Sequence, residues 1–127
     1  MSQAIPDNSA AKSSVVKGKA AESIAAAYVQ AAGWTLLERN FRGRRGEIDL
    51  IIGKTDLIAF VEVKQVDAFG NESLYNSVNS AKQHRIIETS KLYLSRHREY
   101  TYSRIRYDVI TIKALSVELW LEAAFAE

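Results

Sequence analysis

The fold of this chain is decided by two apolar runs and the short turn between them, Gly46-Glu47-Ile48-Asp49-Leu50-Ile51-Ile52, residues 53–56, and Leu57-Ile58-Ala59-Phe60-Val61-Glu62-Val63-Lys64. Two runs rich in β-branched residues, separated by a polar turn, predict a β-hairpin. Three acids and one lysine interrupt strands that would otherwise suit a buried sheet, so these four residues need an explanation.

Side chains two positions apart share one face of a strand, so Glu47 joins Asp49 and Glu62 joins Lys64. If the strands pair across the turn, Asp49 meets the Glu62/Lys64 pair at one point. Carboxylates on an otherwise apolar strand are costly unless something pairs with them. A divalent cation is one such partner and the lysine is another. On these residues alone, a metal site and a structural ion cluster are equally good explanations.

Composition indicates one ordinary globular domain. The chain has 127 residues, of which 47% are apolar and 25% charged, and it has no cysteine. Disulfides, thiolate zinc sites and cysteine nucleophiles are therefore excluded. No apolar run approaches the length of a membrane span, and the N-terminus lacks a signal-peptide pattern. We expect a cytoplasmic protein without a membrane partner.

Positive charge is unevenly distributed along the chain. The net charge is only +2, from 17 Lys and Arg against 15 Asp and Glu. One basic cluster precedes the acidic hairpin and a second lies further along, namely Arg39, Arg42, Arg44 and Arg45, then Arg96, His97, Arg98, Arg104 and Arg106. This distribution, more than the overall composition, suggests a polyanionic partner such as nucleic acid.

The order of predicted elements is α-β-β-β-α-β-β. We expect a flexible tail over residues 1–14 and a single domain over 15–127, with helices over about 14–32 and 78–97 and a loop over 65–76. Strands are expected over 34–41, in the hairpin, and over 105–112 and 117–121. The second helix is a long enough crossover to place residue 106 parallel to 61–64. The fold class is therefore α/β, a mixed sheet of about five strands flanked by helices.

The ordered motifs resemble those of the PD-(D/E)xK nuclease superfamily. More closely, the chain resembles the YraN-type (UPF0102) family of small bacterial endonuclease-like proteins. The matching motifs cover nearly everything from Lys17 onward, Gly18-x-x-x-Glu22, Asn40-x-Arg42, Gly46-Glu47-Ile48-Asp49-Leu50-Ile51, Phe60-Val61-Glu62-Val63-Lys64, Lys82-x-x-Arg85, Tyr93-Leu94 and Arg106-Tyr107-Asp108-Val109. Two departures stand out, because Ile48-Asp49 replaces a Pro-Asp pair and Gln65-Val66 stand where a basic residue is usual.

The resemblance implies a restriction-endonuclease-like core and a Mg²⁺- or Mn²⁺-dependent site. Asp49, Glu62 and the carbonyl of Val63 would hold the metal. Lys64 would orient a water molecule or face the developing negative charge. Glu22 would complete the metal shell or hold a water, although a solvated position on the helix flank is nearly as good an interpretation. Glu47 is a weaker candidate, as the ligand of a second ion.

The resemblance also implies a nucleic-acid substrate, with DNA favoured and branched DNA, as for Holliday junction resolvases, one candidate. Basic residues would contact phosphates rather than bases, namely Arg42, Arg44, Arg45, Lys82 and Arg85. The paired cuts made by superfamily members add the expectation of a homodimer.

Two other functions stay open. A non-catalytic nucleic-acid-binding module on a nuclease fold is suggested by Gln65-Val66 after Lys64. A protein-interaction domain would use exposed strand edges or Trp120. Trp34 and Trp120 are themselves expected in the core or at an interface, and Asp108 is expected to pair structurally with Arg106 or a neighbouring arginine.

Overall fold

A computed structural model describes residues 6–66 and 78–127, with side chains described from residue 18 onward. The elements along the chain are α1 (Pro6–Ala31), β1 (Thr35–Arg42), β2 (Glu47–Lys54), β3 (Leu57–Gln65), α2 (Ser80–Arg96), a 3-10 turn (Arg98–Tyr100), β4 (Arg104–Lys113) and β5 (Ser116–Phe125). The predicted order α-β-β-β-α-β-β is confirmed.

The five strands form one mixed sheet in the order β1-β2-β3-β4-β5. All neighbouring strands are antiparallel except β3 and β4, which run parallel with Val61 beside Asp108. A parallel neighbour needs a long crossover, and the segment containing α2 supplies it. The predicted α/β class and the parallel placement of the strand at residue 106 are therefore confirmed.

The two helices cover opposite faces of the sheet. On one face Ala25 and Val29 of α1 pack against a cluster that includes Leu50 and Val61. On the other face α2 packs Ile86, Ile87 and Tyr93 against a cluster that includes Ile51 and Phe60. Leu50 and Ile51 are adjacent on β2 and point to opposite faces, as strand geometry requires. The central strands are apolar on both sides for this reason.

Two element boundaries differ from the sequence prediction. Helix α1 already includes Pro6, the first residue described, whereas the sequence predicted a start near residue 14. Strand β5 extends to Phe125, well beyond the short strand expected over 117–121. Residues 67–77, where most of the expected loop falls, lie outside the described residues.

Strand β5 is longer because Asp108 anchors it. The fully buried Asp108 carboxylate accepts two hydrogen bonds from Arg106, at 2.9 and 2.8 Å. It also accepts from Nε1 of Trp120 at 2.9 Å and from the N–H of Ala123 at 3.0 Å. The predicted Asp108–Arg106 pair is confirmed, and its role is structural. Within the described part of the chain, no helix has the length and apolar character that a membrane crossing requires.

Candidate functional site

The alternation of side chains along β2 is broken at Asp49. Ile48 packs in the α2 cluster and Leu50 in the α1 cluster, although residues two apart on a regular strand share a face. Across from Asp49 stands Asn40, whose φ of 52° places it in the left-handed region that asparagine tolerates better than most residues. This irregularity leaves Asp49 at the boundary between the two faces, where its carboxylate can meet groups from either side.

Asp49 and Glu62 come together as the hairpin predicted. Leu50 pairs with Val61, so Asp49, which precedes Leu50, lies opposite Glu62, which follows Val61. The Oδ2 atom of Asp49 accepts a hydrogen bond of 2.8 Å from the N–H of Val63. The pKa of Asp49 is raised to about 8, first by burial and then by the negative charge of Glu62, against the opposing effect of the Val63 N–H. The two carboxylates therefore repel each other across a partly dehydrated space.

The backbone N–H and carbonyl of Val63 both point toward the strand that carries Asp49. The N–H of Val66 bonds to the carbonyl of Ile112 on β4 at 2.9 Å. The backbone groups of successive strand residues point to alternate sides, so those of Val63, three residues before Val66, point away from β4 and toward Asp49. The hydrogen bond from the Val63 N–H to Asp49 agrees with this direction. The carbonyl of a strand residue points to the same side as its N–H. The Val63 carbonyl is thus directed to the side of the sheet where Asp49 lies.

Two lysines complete the centre of the site. Nζ of Lys82, from α2, lies 2.7 Å from Oε2 of Glu62, whose side chain is only 8% exposed. Burial and the neighbouring charge of Lys82 lower the pKa of Lys64, while Glu62 and Asp49 oppose that shift. Lys82 was predicted from sequence as a phosphate contact on a helix flank. In the structure, Lys82 instead forms an ion pair with Glu62.

The remaining acids sit at the edges of this centre. Oε1 of Glu22 accepts a hydrogen bond of 3.0 Å from Nδ2 of Asn40, and its side chain is 18% exposed. Glu22 therefore reaches the sheet instead of standing in solvent, and its charge adds to the raised pKa of Asp49. Oε2 of Glu47 lies 3.2 Å from Nε of Arg42 in a more exposed pair, a kind that contributes little to stability.

The predicted basic residues do not all gather at the acids. Arg42 pairs with Glu47, and Arg85 is exposed on α2. Arg44 and Arg45 instead line a separate cleft of about 460 Å³ together with Arg96. Arg96 belongs to the second basic cluster of the sequence but is not one of the predicted phosphate contacts. Helical spacing could have found it, because it lies on the same face of α2 as Lys82 and Arg85.

The donors at the centre suit a hard cation by their chemistry. Asp49, Glu62 and the Val63 carbonyl offer oxygen atoms, which Mg²⁺ prefers. Among the residues that the structure describes, however, no three His, Asp or Glu side chains are grouped to hold an ion. Glu62 is instead engaged by Lys82, so a metal ion binding there would have to displace that ammonium group.

Comparison with known proteins gives consistent results. The sequence profile of the uncharacterised protein family UPF0102 matches residues 21–112, which include all the acids described above. A UPF0102 protein of Nitrosomonas europaea is 41% identical over 116 residues, covering 87% of this chain and 94% of that protein. One from Rhodopseudomonas palustris is 39% identical over 109 residues, 85% of this chain and 82% of that protein. One from Treponema pallidum is 38% identical over 97 residues, 76% of this chain and 77% of that protein.

Proposed function

We propose, from the premise that this chain belongs to the uncharacterised protein family UPF0102, that it is a metal-dependent endonuclease hydrolysing phosphodiester bonds in DNA. The observation that carries the proposal is the meeting of Asp49 and Glu62 from adjacent strands, with Lys64 beside them. Such crowding of carboxylates destabilises the fold, and a bound cation would offset it. The ion pair with Lys82 gives Glu62 a structural role, but it does not account for the second acid placed beside it.

The metal would be held by Asp49, Glu62 and the Val63 carbonyl, and Mg²⁺ or Mn²⁺ would there polarise the phosphoryl oxygen and lower the pKa of a bound water. Lys64 would supply a compact positive charge next to the phosphate, where negative charge grows as water attacks phosphorus and the ester bond breaks. Glu22, which accepts a hydrogen bond from Asn40, would hold a water molecule at the edge of the site. Branched DNA is a candidate substrate.

Cleavage assays test this proposal. The parent would be titrated with Mn²⁺ and assayed on linear, flapped and four-way DNA. We expect cleavage that Asp49→Ala and Lys64→Ala each reduce at least a hundredfold, because each removes a group acting on the reacting phosphate. Arg104→Ala is the matched control, since this exposed residue begins β4 at the other end of the sheet. Absence of cleavage of all three DNAs by the parent would refute the nuclease.

A second candidate is a nucleic-acid-binding module without catalytic turnover. The specific observation in its favour is the ion pair between Lys82 and Glu62, because an ammonium group already neutralises one of the two acids. The absence of a basic residue at Gln65-Val66 also fits it. Salt-dependent DNA binding without Mn²⁺ uptake in calorimetry would favour this module, whereas Mn²⁺ uptake that Asp49→Ala abolishes would favour the nuclease.

A further inference from the structure

On one face of helix α2, a stripe of five side chains runs from Asp49 and Glu62 toward the C-terminal end of the helix. Its five members are Lys82, Arg85, Thr89, Leu92 and Arg96. Spacings of three and four residues place them on one face of the helix, because a turn contains 3.6 residues. Lys82 contacts Glu62 at one end, and Arg96 is exposed at the other. The stripe therefore joins the candidate site to the C-terminal end of the helix.

The turn between β1 and β2 lies directly on this stripe. A Cβ atom added at Gly46 would lie 3.0 Å from Oγ1 of Thr89 and 3.2 Å from the carbonyl oxygen of Arg85. One added at Gly43 would lie 3.1 Å from the Thr89 side chain. The N–H of Gly43 donates to the carbonyl of Gly46 at 2.8 Å and closes the turn. These glycines let the turn sit against the helix and carry the two arginines between them there.

Turn and helix together form the cleft of about 460 Å³ lined by Arg44, Arg45 and Arg96. Glu88 also lines it, but its Oε2 atom lies 3.0 Å from Nε2 of His84. Among the side chains described, over 18–66 and 78–127, none of the three arginines forms an ion pair. The cleft therefore presents three exposed guanidinium groups against one acid that already has a partner.

We propose that this cleft binds a backbone phosphate of the same duplex DNA whose scissile phosphate lies at the acids, an inference that rests on the proposed function. A guanidinium group offers a planar fork of donors that matches two phosphate oxygens. A phosphate contact fixes the register of a duplex without reading its bases. Arg44, Arg45 and Arg96 are thus positioning residues that hold one arm of the DNA along α2.

The length of the stripe sets the length of that arm. At a rise of 1.5 Å per residue, Lys82 and Arg96 are about 20 Å apart along the helix. Each base pair advances a DNA strand by 3.4 Å along the duplex axis, so this span corresponds to about six base pairs. A mononucleotide or dinucleotide cannot reach both ends. The surface therefore fits a duplex arm of at least about six base pairs on one side of the cut.

Binding measurements without divalent metal test the cleft independently of catalysis. Fluorescence anisotropy would follow a labelled duplex of about 20 base pairs with Arg44→Glu, Arg45→Glu and Arg96→Glu over a range of salt concentrations. We expect each variant to bind about tenfold more weakly, with a salt slope smaller by about one unit. Lys54→Glu, equally exposed but on the face of the sheet that α1 covers, should bind like the parent. Equal affinities for the parent and all four variants would overturn the proposal.

The span requires a second comparison, with hairpin duplexes whose stems have about four and about twelve base pairs. Arg96→Glu should weaken binding about tenfold on the long stem and less than twofold on the short one. An equal penalty on both stems indicates a general charge effect and overturns the span. If the parent binds the duplex as predicted but cuts no DNA with Mn²⁺, the nuclease fails and the cleft stands. If it cuts DNA while the cleft variants bind and cut like the parent, the cleft fails alone.

Discussion

Lys82 places its Nζ atom 2.7 Å from Oε2 of Glu62, so an ammonium group from a helix occupies one of the two carboxylates that the strands bring together. The pair is largely shielded from solvent on the Glu62 side. A buried carboxylate gains strongly from a partner, because leaving it unpaired is costly. A metal ion bound at this site would therefore compete with the lysine for the same oxygen atoms.

Replacing the lysine should strengthen metal binding. We expect Lys82→Met to bind Mn²⁺ about tenfold more tightly than the parent in isothermal calorimetry, because the cation no longer has to displace an ammonium group. Lys113→Met is the matched control, since Lys113 pairs with Glu118 on the far strands of the sheet. Equal Mn²⁺ affinity of the Lys82 and Lys113 variants would show that the ion pair does not block the site.

The raised pKa of Asp49 makes stability depend on pH. Its pKa is about 8 in the folded chain against 3.8 ordinarily, so folding takes up a proton between these values and stability falls as pH rises through them. With a chelator present, Asp49→Asn should remove this slope. At pH 8 it should raise the free energy of unfolding by about 2 kcal/mol or more.

Urea unfolding at several pH values between about 5 and 8 measures that difference. Asp56→Asn is the control, because Asp56 is exposed in the hairpin turn. If the parent and Asp49→Asn lose stability in parallel as pH rises, the carboxylate is not the origin of the slope.

Asn40 combines a backbone role with a side-chain role, and substitutions can separate them. Asn40→Gly keeps the positive φ but loses the amide that donates to Glu22, which should cost about 1 kcal/mol. Asn40→Val loses both, and a β-branched residue in the left-handed region should add about 1–2 kcal/mol. Chemical denaturation measures both variants, and equal stability of the two would contradict the backbone role.

Gly46 should not tolerate even one added methyl group. In Gly46→Ala the turn and α2 must separate by a few tenths of an ångström, because the added Cβ would lie 3.2 Å from the Arg85 backbone, so we expect a loss of about 1–3 kcal/mol and weaker duplex binding. Gly18→Ala is the matched control, since no atom lies within 4 Å of its added Cβ. On helix α1 that change should be neutral or stabilising by up to about 1 kcal/mol. Thermal unfolding compares the two, and equal losses would contradict the close packing.

The fold was largely predictable because its signals are local. Alternation of apolar residues, the turn at 53–56 and the helical spacing in α2 each specify one element, and the crossover rule then orders β3 and β4. The extent of β5 was not predictable, because it depends on Ala123 donating to Asp108 on another strand. The extension of α1 ahead of residue 14 was missed because the polar composition of that segment suggested a tail.

The candidate site was predictable only as far as strand geometry reaches. Period-two spacing and the hairpin bring Asp49, Glu62 and Lys64 together. The contact of Lys82 with Glu62 depends on where a helix docks, which no local pattern records. The break in side-chain alternation along β2 at Asp49 is likewise not visible in the local pattern.

The hairpin that unites β2 and β3 has a consequence for the order of folding. Its two acids become neighbours through a short, local connection, whereas Lys82 reaches them only after the long crossover has closed. Local contacts form earlier than distant ones, so the two acids meet with only Lys64 beside them, before Lys82 arrives. During synthesis, the hairpin that carries Asp49 and Glu62 leaves the ribosome before Lys82 does. We expect the two carboxylates of the hairpin to stay hydrated until helix α2 docks on the sheet.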